Sequence, residues 1–96
     1  MSASLSTHVL DVERGLPAKG IHVELWQDDL VTTGETDDDG RIAELAAGLA
    51  PGIYRILFRP DSPFFKGVGV EVALEDGHYH VPLLVSSYSC TTYRGS

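Results

Sequence analysis

The sequence predicts an all-β protein, a sandwich of two antiparallel sheets made from about seven or eight short strands. Three observations carry this. Val, Ile, Thr and Tyr are spread through short segments. Gly or Pro interrupts those segments about every eight to twelve residues, the turn spacing of all-β chains. No stretch has a persuasive helical periodicity.

Leu5 to Val12 alternates as a first strand, with Leu5, Thr7, Val9 and Asp11 on one face and Ser6, His8, Leu10 and Val12 on the other. Glu13-Arg-Gly-Leu-Pro17 is turn chemistry, because Gly15 is free to take positive φ and Pro17 fixes its own. Ile21 to Trp26 is a second strand with Ile21, Val23 and Leu25 facing inward. Gln27-Asp-Asp29 is a hairpin-length loop into a third strand, Leu30 to Thr33.

The acidic Thr36 to Arg41 follows. Glu35, Asp37, Asp39 and Gly40 imitate the opening of a calcium loop, but Ala46 stands where that loop needs a bidentate Glu, so a solvated turn held by Gly40 is the better reading. Ile42 to Ala50 is open between a short strand and a helical turn. Ile53 to Phe58 is a strand, the two prolines of Arg59 to Gly67 make a loop, and Val68 to Leu74 alternates as another strand.

After the Glu75-Asp-Gly77 turn, the segment from His78 reads as a closing hairpin. A turn near Ser87 and Tyr88 pairs residues whose numbers sum to about 175, which sets His80 opposite Gly95 with Ser96 beside it. An ending on Tyr93-Arg-Gly-Ser96 suggests that the terminus has a role of its own.

The 96 residues are expected to form one domain, 1–96, with a core small enough that burial of further surface in an oligomer is plausible. With 43% apolar and 22% charged residues the chain is globular rather than disordered. A net charge of −7 argues against nucleic acid and against an anionic membrane surface as partners. Cys90 is the only cysteine, so neither an internal disulfide nor a cysteine metal cage is possible. There is no leader pattern, membrane-length apolar run or Ser-Lys-Leu ending, and a cytoplasmic location is the expectation.

Four histidines concentrate the candidate chemistry. His22 lies opposite its strand's apolar stripe and reads as a surface residue, whereas His8 shares a face with Leu10 and Val12, turning it toward apolar surroundings. His78 and His80, two apart, point the same way from a strand. With a third imidazole they could hold zinc and leave a position for water; alternatively, a neutral imidazole is a natural general base. Arg41 and Arg94 suit either scheme, since guanidinium grips planar oxygen-rich groups and steadies an oxyanion. No Gly-x-Ser-x-Gly elbow exists and Cys90 lies within a strand, so a Ser or Cys nucleophile is unsupported. The residues alone leave hydrolase and metal site unresolved.

Several motifs, in order and nearly end to end, resemble the transthyretin-related 5-hydroxyisourate hydrolases: Leu5-Ser-Thr-His-Val-Leu-Asp11, Pro17-Ala-Lys-Gly20 with Val23-Glu-Leu-Trp26, Asp39-Gly-Arg41, Pro51-Gly-Ile-Tyr-Arg55, His78-Tyr-His-Val-Pro-Leu-Leu84 and Tyr93-Arg-Gly-Ser96. The terminal tetrapeptide is the most diagnostic, because it separates the hydrolases from transthyretin, a carrier on the same scaffold. The resemblance implies a transthyretin (prealbumin)-like sandwich of two four-stranded sheets. It also implies a homotetramer, a dimer of dimers, with active sites in the clefts where dimers meet. The implied reaction opens the cyclic amide of 5-hydroxyisourate to 2-oxo-4-hydroxy-4-carboxy-5-ureidoimidazoline in urate degradation. By position, His8, Arg41, His80 and Ser96 match the catalytic set. His8 and His80 would activate water and shuttle protons, and Arg41 would hold substrate and steady the oxyanion. His78, Tyr93, Arg94 and Gly95 would bind substrate, with Arg94 and Ser96 shaping and closing the pocket. No cofactor is implied, although some similar proteins are thought to hold zinc among these histidines.

Two departures stand out. Similar chains carry a longer segment with a short helix where Arg59 to Lys66 stands, so that helix is expected to be reduced or missing. Ser87 and Cys90 replace a proline and a tyrosine that are common in the final hairpin, which removes aromatic contact from a possible interface. The competing readings are a transthyretin-like carrier without activity and a purely structural prealbumin-like module. Retention of His8, His80 and the tetrapeptide favours the enzyme.

Overall fold

Strand β1 (Ala3–Asp11) is the member of the fold to which most others attach. In the computed structural model, which describes residues 1–95, one edge of β1 carries β5 (Arg41–Leu49), antiparallel, and beyond it the two-residue β2 (Leu16–Pro17). The other edge carries β8 (Gly77–His80) and β9 (Leu83–Val85), and β9 in turn pairs with β10 (Cys90–Thr92). The second sheet is antiparallel in the order β4 (Asp29–Glu35), β3 (His22–Gln27), β6 (Gly52–Arg59), β7 (Val68–Leu74). The predicted two-sheet sandwich is therefore what the chain forms.

The strands assemble around one core between the sheets. Leu5 and Val9 from β1, Val23 and Leu25 from β3, Ile56 and Phe58 from β6, and Leu83 from β9 are fully buried. Each set alternates with outward residues, as a pleated strand requires. Thr7, also buried, is satisfied because its hydroxyl donates to the Val81 carbonyl at 2.6 Å. That contact spans the break between β8 and β9, where Pro82 has no N–H to offer the ladder.

Four features differ from or complete the sequence reading. The face of β1 holding His8 is the outer one, with Leu10 half-buried and Val12 exposed, so His8 looks outward rather than toward an apolar layer. Core residues Leu5, Thr7 and Val9 claim the inner face, and alternation leaves His8 no choice. The undecided Ile42–Ala50 stretch is strand: β5 takes the free edge of β1, with two register shifts that accommodate its alanines. Within the first sheet β1 runs parallel to β8 and β9, because the chain returns from the second sheet in the direction of β1 and not through a hairpin. The described residues contain no helix, as the expected reduction or loss of the short helix requires, and a loop follows β6. Ser62 anchors that loop: its hydroxyl accepts the N–H groups of Phe64 and Phe65 and donates to the Ser87 carbonyl at 3.1 Å.

The closing hairpin has the predicted register. Val85 pairs Cys90, Leu84 pairs Thr91, Leu83 pairs Thr92, and His80 bridges Gly95. The acidic turn is also as expected, with Asp37 Oδ1 accepting the backbone N–H groups of Asp39 and Arg41, both at 2.9 Å.

Gly40 closes that turn with φ of 74°, and an added Cβ would lie 2.5 Å from the Val9 carbonyl oxygen. Gly48 has φ of 64° but open space around it. Gly48→Ala should therefore cost only the left-handed backbone term, about 1–2 kcal/mol. Gly40→Ala should cost clearly more, because backbone must move as well. Thermal unfolding of both variants at one protein concentration checks this; equal losses would show that the Val9 contact does not matter.

Candidate active site

On β1, alternation places Ser4, Ser6 and His8 on the outer face. The parallel register sets Ser4 beside His78 and Ser6 beside His80, while the antiparallel register on the other edge sets His8 beside Arg41. Directly paired residues share a face of a sheet. Three neighbouring strands thus bring six polar side chains onto one surface, from segments far apart in the chain.

His8 is oriented by the acidic turn. Its Nε2 lies 2.9 Å from the Asp39 carbonyl oxygen. A carbonyl only accepts, so Nε2 is the donor, and Nδ1 has no partner among the described residues. The turn is fastened to β1 because the N–H of Val9 donates to the Gly40 carbonyl at 2.7 Å. Arg41 is exposed, and no carboxylate among the described residues lies within ion-pair distance of it.

His80 is held on three sides. Its Nδ1 is 2.7 Å from Ser6 Oγ, and its carbonyl accepts the N–H of Gly95 at 2.6 Å. Gly95 also lies against the ring, where an added Cβ would meet His80 Cδ2 at 2.7 Å. With Nδ1 toward Ser6 and Cδ2 toward Gly95, Nε2 is left without a partner among the described residues. Burial first, then the nearby charges of His8, Arg41 and His78, push the His80 pKa below the ordinary histidine value. The ring is therefore neutral at neutral pH and able to accept a proton through Nε2.

His78 stands on the same face, with Nδ1 2.7 Å from Ser4 Oγ and Nε2 2.9 Å from Ser6 Oγ. The two serines escaped the sequence reading. Their signal was the spacing Ser4-x-Ser6-x-His8, which matches the spacing His78-x-His80 on the neighbouring strand.

These nitrogens do not suit zinc. Both ring nitrogens of His78 and one each of His80 and His8 are engaged by protein oxygens. Among the described residues no three His, Cys, Asp or Glu side chains gather around a common point.

The remaining expected residues fall differently. The Arg94 guanidinium lies 4.4 Å from the centroid of the Tyr79 ring, a cation–π contact. Tyr79 points to the opposite side of its strand from His78 and His80, so Arg94 is turned away from their face. Tyr93 is half exposed and lines a groove with Arg94, Tyr79 and Val81. Ser96 lies outside the described residues. The concave regions lined by Leu16 to Lys19, by Trp26 with Arg55, and by Tyr79 with Arg94 do not include His8, Arg41 or His80. The His–Arg cluster occupies an open sheet face.

Comparison with known proteins gives this arrangement a context. The 5-hydroxyisourate hydrolase of Salmonella typhimurium is 41% identical over 109 residues, covering 96% of this chain and 80% of that protein. The solved Klebsiella pneumoniae 5-hydroxyisourate hydrolase matches with a TM-score of 0.90 at 30% identity, over 98% of this chain and 99% of the other. A sea bream transthyretin, solved in complex with thyroxine, matches with a TM-score of 0.85 at 27% identity, over 95% and 93% of the two chains. The family model described as HIUase/Transthyretin matches residues 5–95, and the chain belongs to that family.

Proposed function

We propose that this chain hydrolyses 5-hydroxyisourate to 2-oxo-4-hydroxy-4-carboxy-5-ureidoimidazoline in urate degradation. The observation that carries the reading is the gathering of His8, Arg41 and His80 on one face, in a chain similar along nearly its whole length to named hydrolases. Fold alone cannot separate enzyme from carrier, because the sea bream transthyretin shares it. The side chains do: a carrier has no need of a neutral imidazole beside a guanidinium that has no carboxylate partner among the described residues.

In the proposed mechanism His80 Nε2 takes a proton from water as the oxygen attacks the amide carbonyl. The electron pair of the carbonyl moves to its oxygen, where Arg41 meets the developing charge. As the C–N bond breaks, the departing nitrogen takes the proton from His80. The carboxylic acid formed then ionises, so each turnover releases one proton. His8, with its free Nδ1, orients the water. Tyr93, Arg94, Gly95 and Ser96 shape the pocket: Gly95 by letting His80 sit close, and Arg94 only with a turn away from Tyr79 or against another copy's surface.

Water must be excluded for Arg41 to act at full strength, and an open face in one chain cannot do that. We therefore place the site between copies in a homotetramer, a dimer of dimers. A native mass close to one chain in a fully active preparation would overturn this. No helix among the described residues is long and apolar enough to cross a membrane. A single cysteine, which allows no internal disulfide, fits the reducing conditions of the cytoplasm, where we place the enzyme.

Freshly generated 5-hydroxyisourate, followed by its ultraviolet absorbance, tests the activity. Acceleration over spontaneous decay is expected; none would end the hydrolase reading. His80→Ala should lose about a hundredfold or more of kcat/KM. Gly95→Ala, which pushes the ring aside, should lose a large part of it with the fold intact.

The pH dependence has a defined sign. The active form is neutral His80, present above its pKa and lost as pH falls through it. Because that pKa is lowered, the acid limb of kcat/KM should lie below the ordinary value of 6.5. Removing a charge that lowers it, by Arg41→Gln, should move the limb upward in whatever activity remains. A limb that stays put would show that another group titrates.

A further inference from the structure

Ser6 has a single hydrogen, yet its oxygen sits between two imidazole nitrogens, His78 Nε2 at 2.9 Å and His80 Nδ1 at 2.7 Å. Its hydrogen has no other acceptor among the described residues, so with both rings neutral it donates to one ring and accepts from the other. The same constraint passes through His78 to Ser4 Oγ, 2.7 Å from Nδ1. Four side chains thus form a chain of hydrogen bonds with two self-consistent directions. In one, His80 Nδ1–H donates to Ser6, Ser6 donates to His78 Nε2, and His78 Nδ1–H donates to Ser4. In that state His80 Nε2 is bare, a base. In the other direction every hydrogen has moved one place toward Ser4 and His80 Nε2 carries a proton, an acid. Ser6 is 6% exposed, half-buried His80 lies toward Gly95, and His78 and its bond to Ser4 are exposed.

We propose that Ser6, His78 and Ser4 are a proton relay that carries a proton from His80 to solvent and back within each turnover, with Ser6 and His78 acting as positioning residues. The inference rests on the hydrolase reading of the same face. The balance is explicit. As Nε2 takes a proton from water, the Nδ1 proton passes to Ser6 Oγ while the Ser6 proton passes to His78 Nε2. His80 ends neutral with Nε2 protonated, and the positive charge stands on His78. The proton on His78 Nδ1 then passes to Ser4 Oγ as the Ser4 proton leaves to water. The relay has a physical reason to run outward. Arg41 and His8 disfavour charge on His80, whereas exposed His78 places it where water screens it. The groups that bear on His80 from the packed strands are Arg41 on β5, His8 on β1 and His78 on β8. When the departing nitrogen takes the Nε2 proton, the chain runs back: a proton enters from water through Ser4, His78 and Ser6 to restore Nδ1–H on His80, and ionisation of the carboxylic acid remains the one net proton released.

Steady-state turnover of 5-hydroxyisourate by Ser6→Ala, Ser6→Thr and His78→Gln, with nitrogen NMR of the histidine rings, tests this. Ser6→Ala should lose about tenfold or more of kcat with KM within about twofold, since proton transfer and not substrate binding is affected. Ser6→Thr restores the hydroxyl and should recover most of the loss. His78→Gln can hold Ser6 but cannot pass a proton through a ring, and should fall like Ser6→Ala. The His80 Nδ1 resonance should move in Ser6→Ala and stay in Ser6→Thr. Wild-type kcat in Ser6→Ala or in His78→Gln overturns the relay. So does a loss in Ser6→Ala that Ser6→Thr fails to restore while the His80 signal is unmoved, which would mark a merely structural role. If the wild-type protein does not open 5-hydroxyisourate, the hydrolase reading falls and the relay has no reaction to serve. The ring spectra separate that outcome from a hydrogen-bonded chain that never forms.

Discussion

Both faces of β1 are committed, and this constraint governs the rest of the molecule. Its inner face supplies Leu5, Thr7 and Val9 to the core, while its outer face supplies Ser4, Ser6 and His8 to the site. A slip of one residue would turn apolar side chains to water and bury serine and imidazole, so core burial fixes the site's register. Both edges of β1 are committed too. β5 on one edge brings Arg41 beside His8, and β8 on the other brings His78 and His80 beside the serines. The site is built by the same pairing that builds the sheet. Catalytic geometry on rigid strands is held more closely than geometry on loops.

The electrostatics follow the same logic. The chain is acidic overall, yet the face holding His8, Arg41, His78 and His80 is its basic spot. The acidic turn beside this spot makes no ion pair with Arg41 among the described residues. Asp37 spends a carboxylate oxygen on two backbone N–H groups, Asp38 pairs with Lys19 at 3.0 Å, and Asp39 is used through its carbonyl. Three consecutive aspartates thus serve as a turn that aims His8 and starts β5 at Arg41. A cationic face left open in this way suits an oxygen-rich heterocycle whose carbonyl becomes an oxyanion during reaction.

How much of this could be read from the sequence depended on which contacts are local. The closing hairpin was legible to the exact pair because a short turn sets the register of the strands it joins. The inner stripe Ile21, Val23, Leu25 was legible from period-two alternation. The relay was not, because it depends on β1 lying parallel to β8, a pairing between the two ends of the chain that no turn announces. Serine in a strand also carries no chemical signal until a partner is placed beside it. His8 was assigned its neighbours correctly but the wrong surroundings, since Leu10 and Val12 face outward. Arg94 followed the tetrapeptide in the sequence reading, and its guanidinium lies over the Tyr79 ring. Residues 42–50 stayed ambiguous because alanine fits a helix as readily as it fits a strand, and only the free edge of β1 decides.

The loop between β6 and β7 is tied to the closing hairpin at the end far from the site. Its anchor, Ser62, reaches the Ser87 carbonyl at the turn of the closing hairpin, and Phe64 packs near Tyr88 with ring centroids 6.0 Å apart. His80 and Gly95 lie at the base of that same hairpin, seven and eight residues from Ser87 along the chain. At about 3.3 Å per residue of strand, the turn and the base stand on the order of 20 Å apart. Between them, three ladder pairs from Val85–Cys90 to Leu83–Thr92 fasten the hairpin, and β9 is tied to β1. A disturbance at the turn must therefore pass through a ladder whose register β1 already fixes. A change in this loop acts on the end of the hairpin that faces neither Ser6 nor Arg41, and the geometry around His80 is kept by the ladder and by β1.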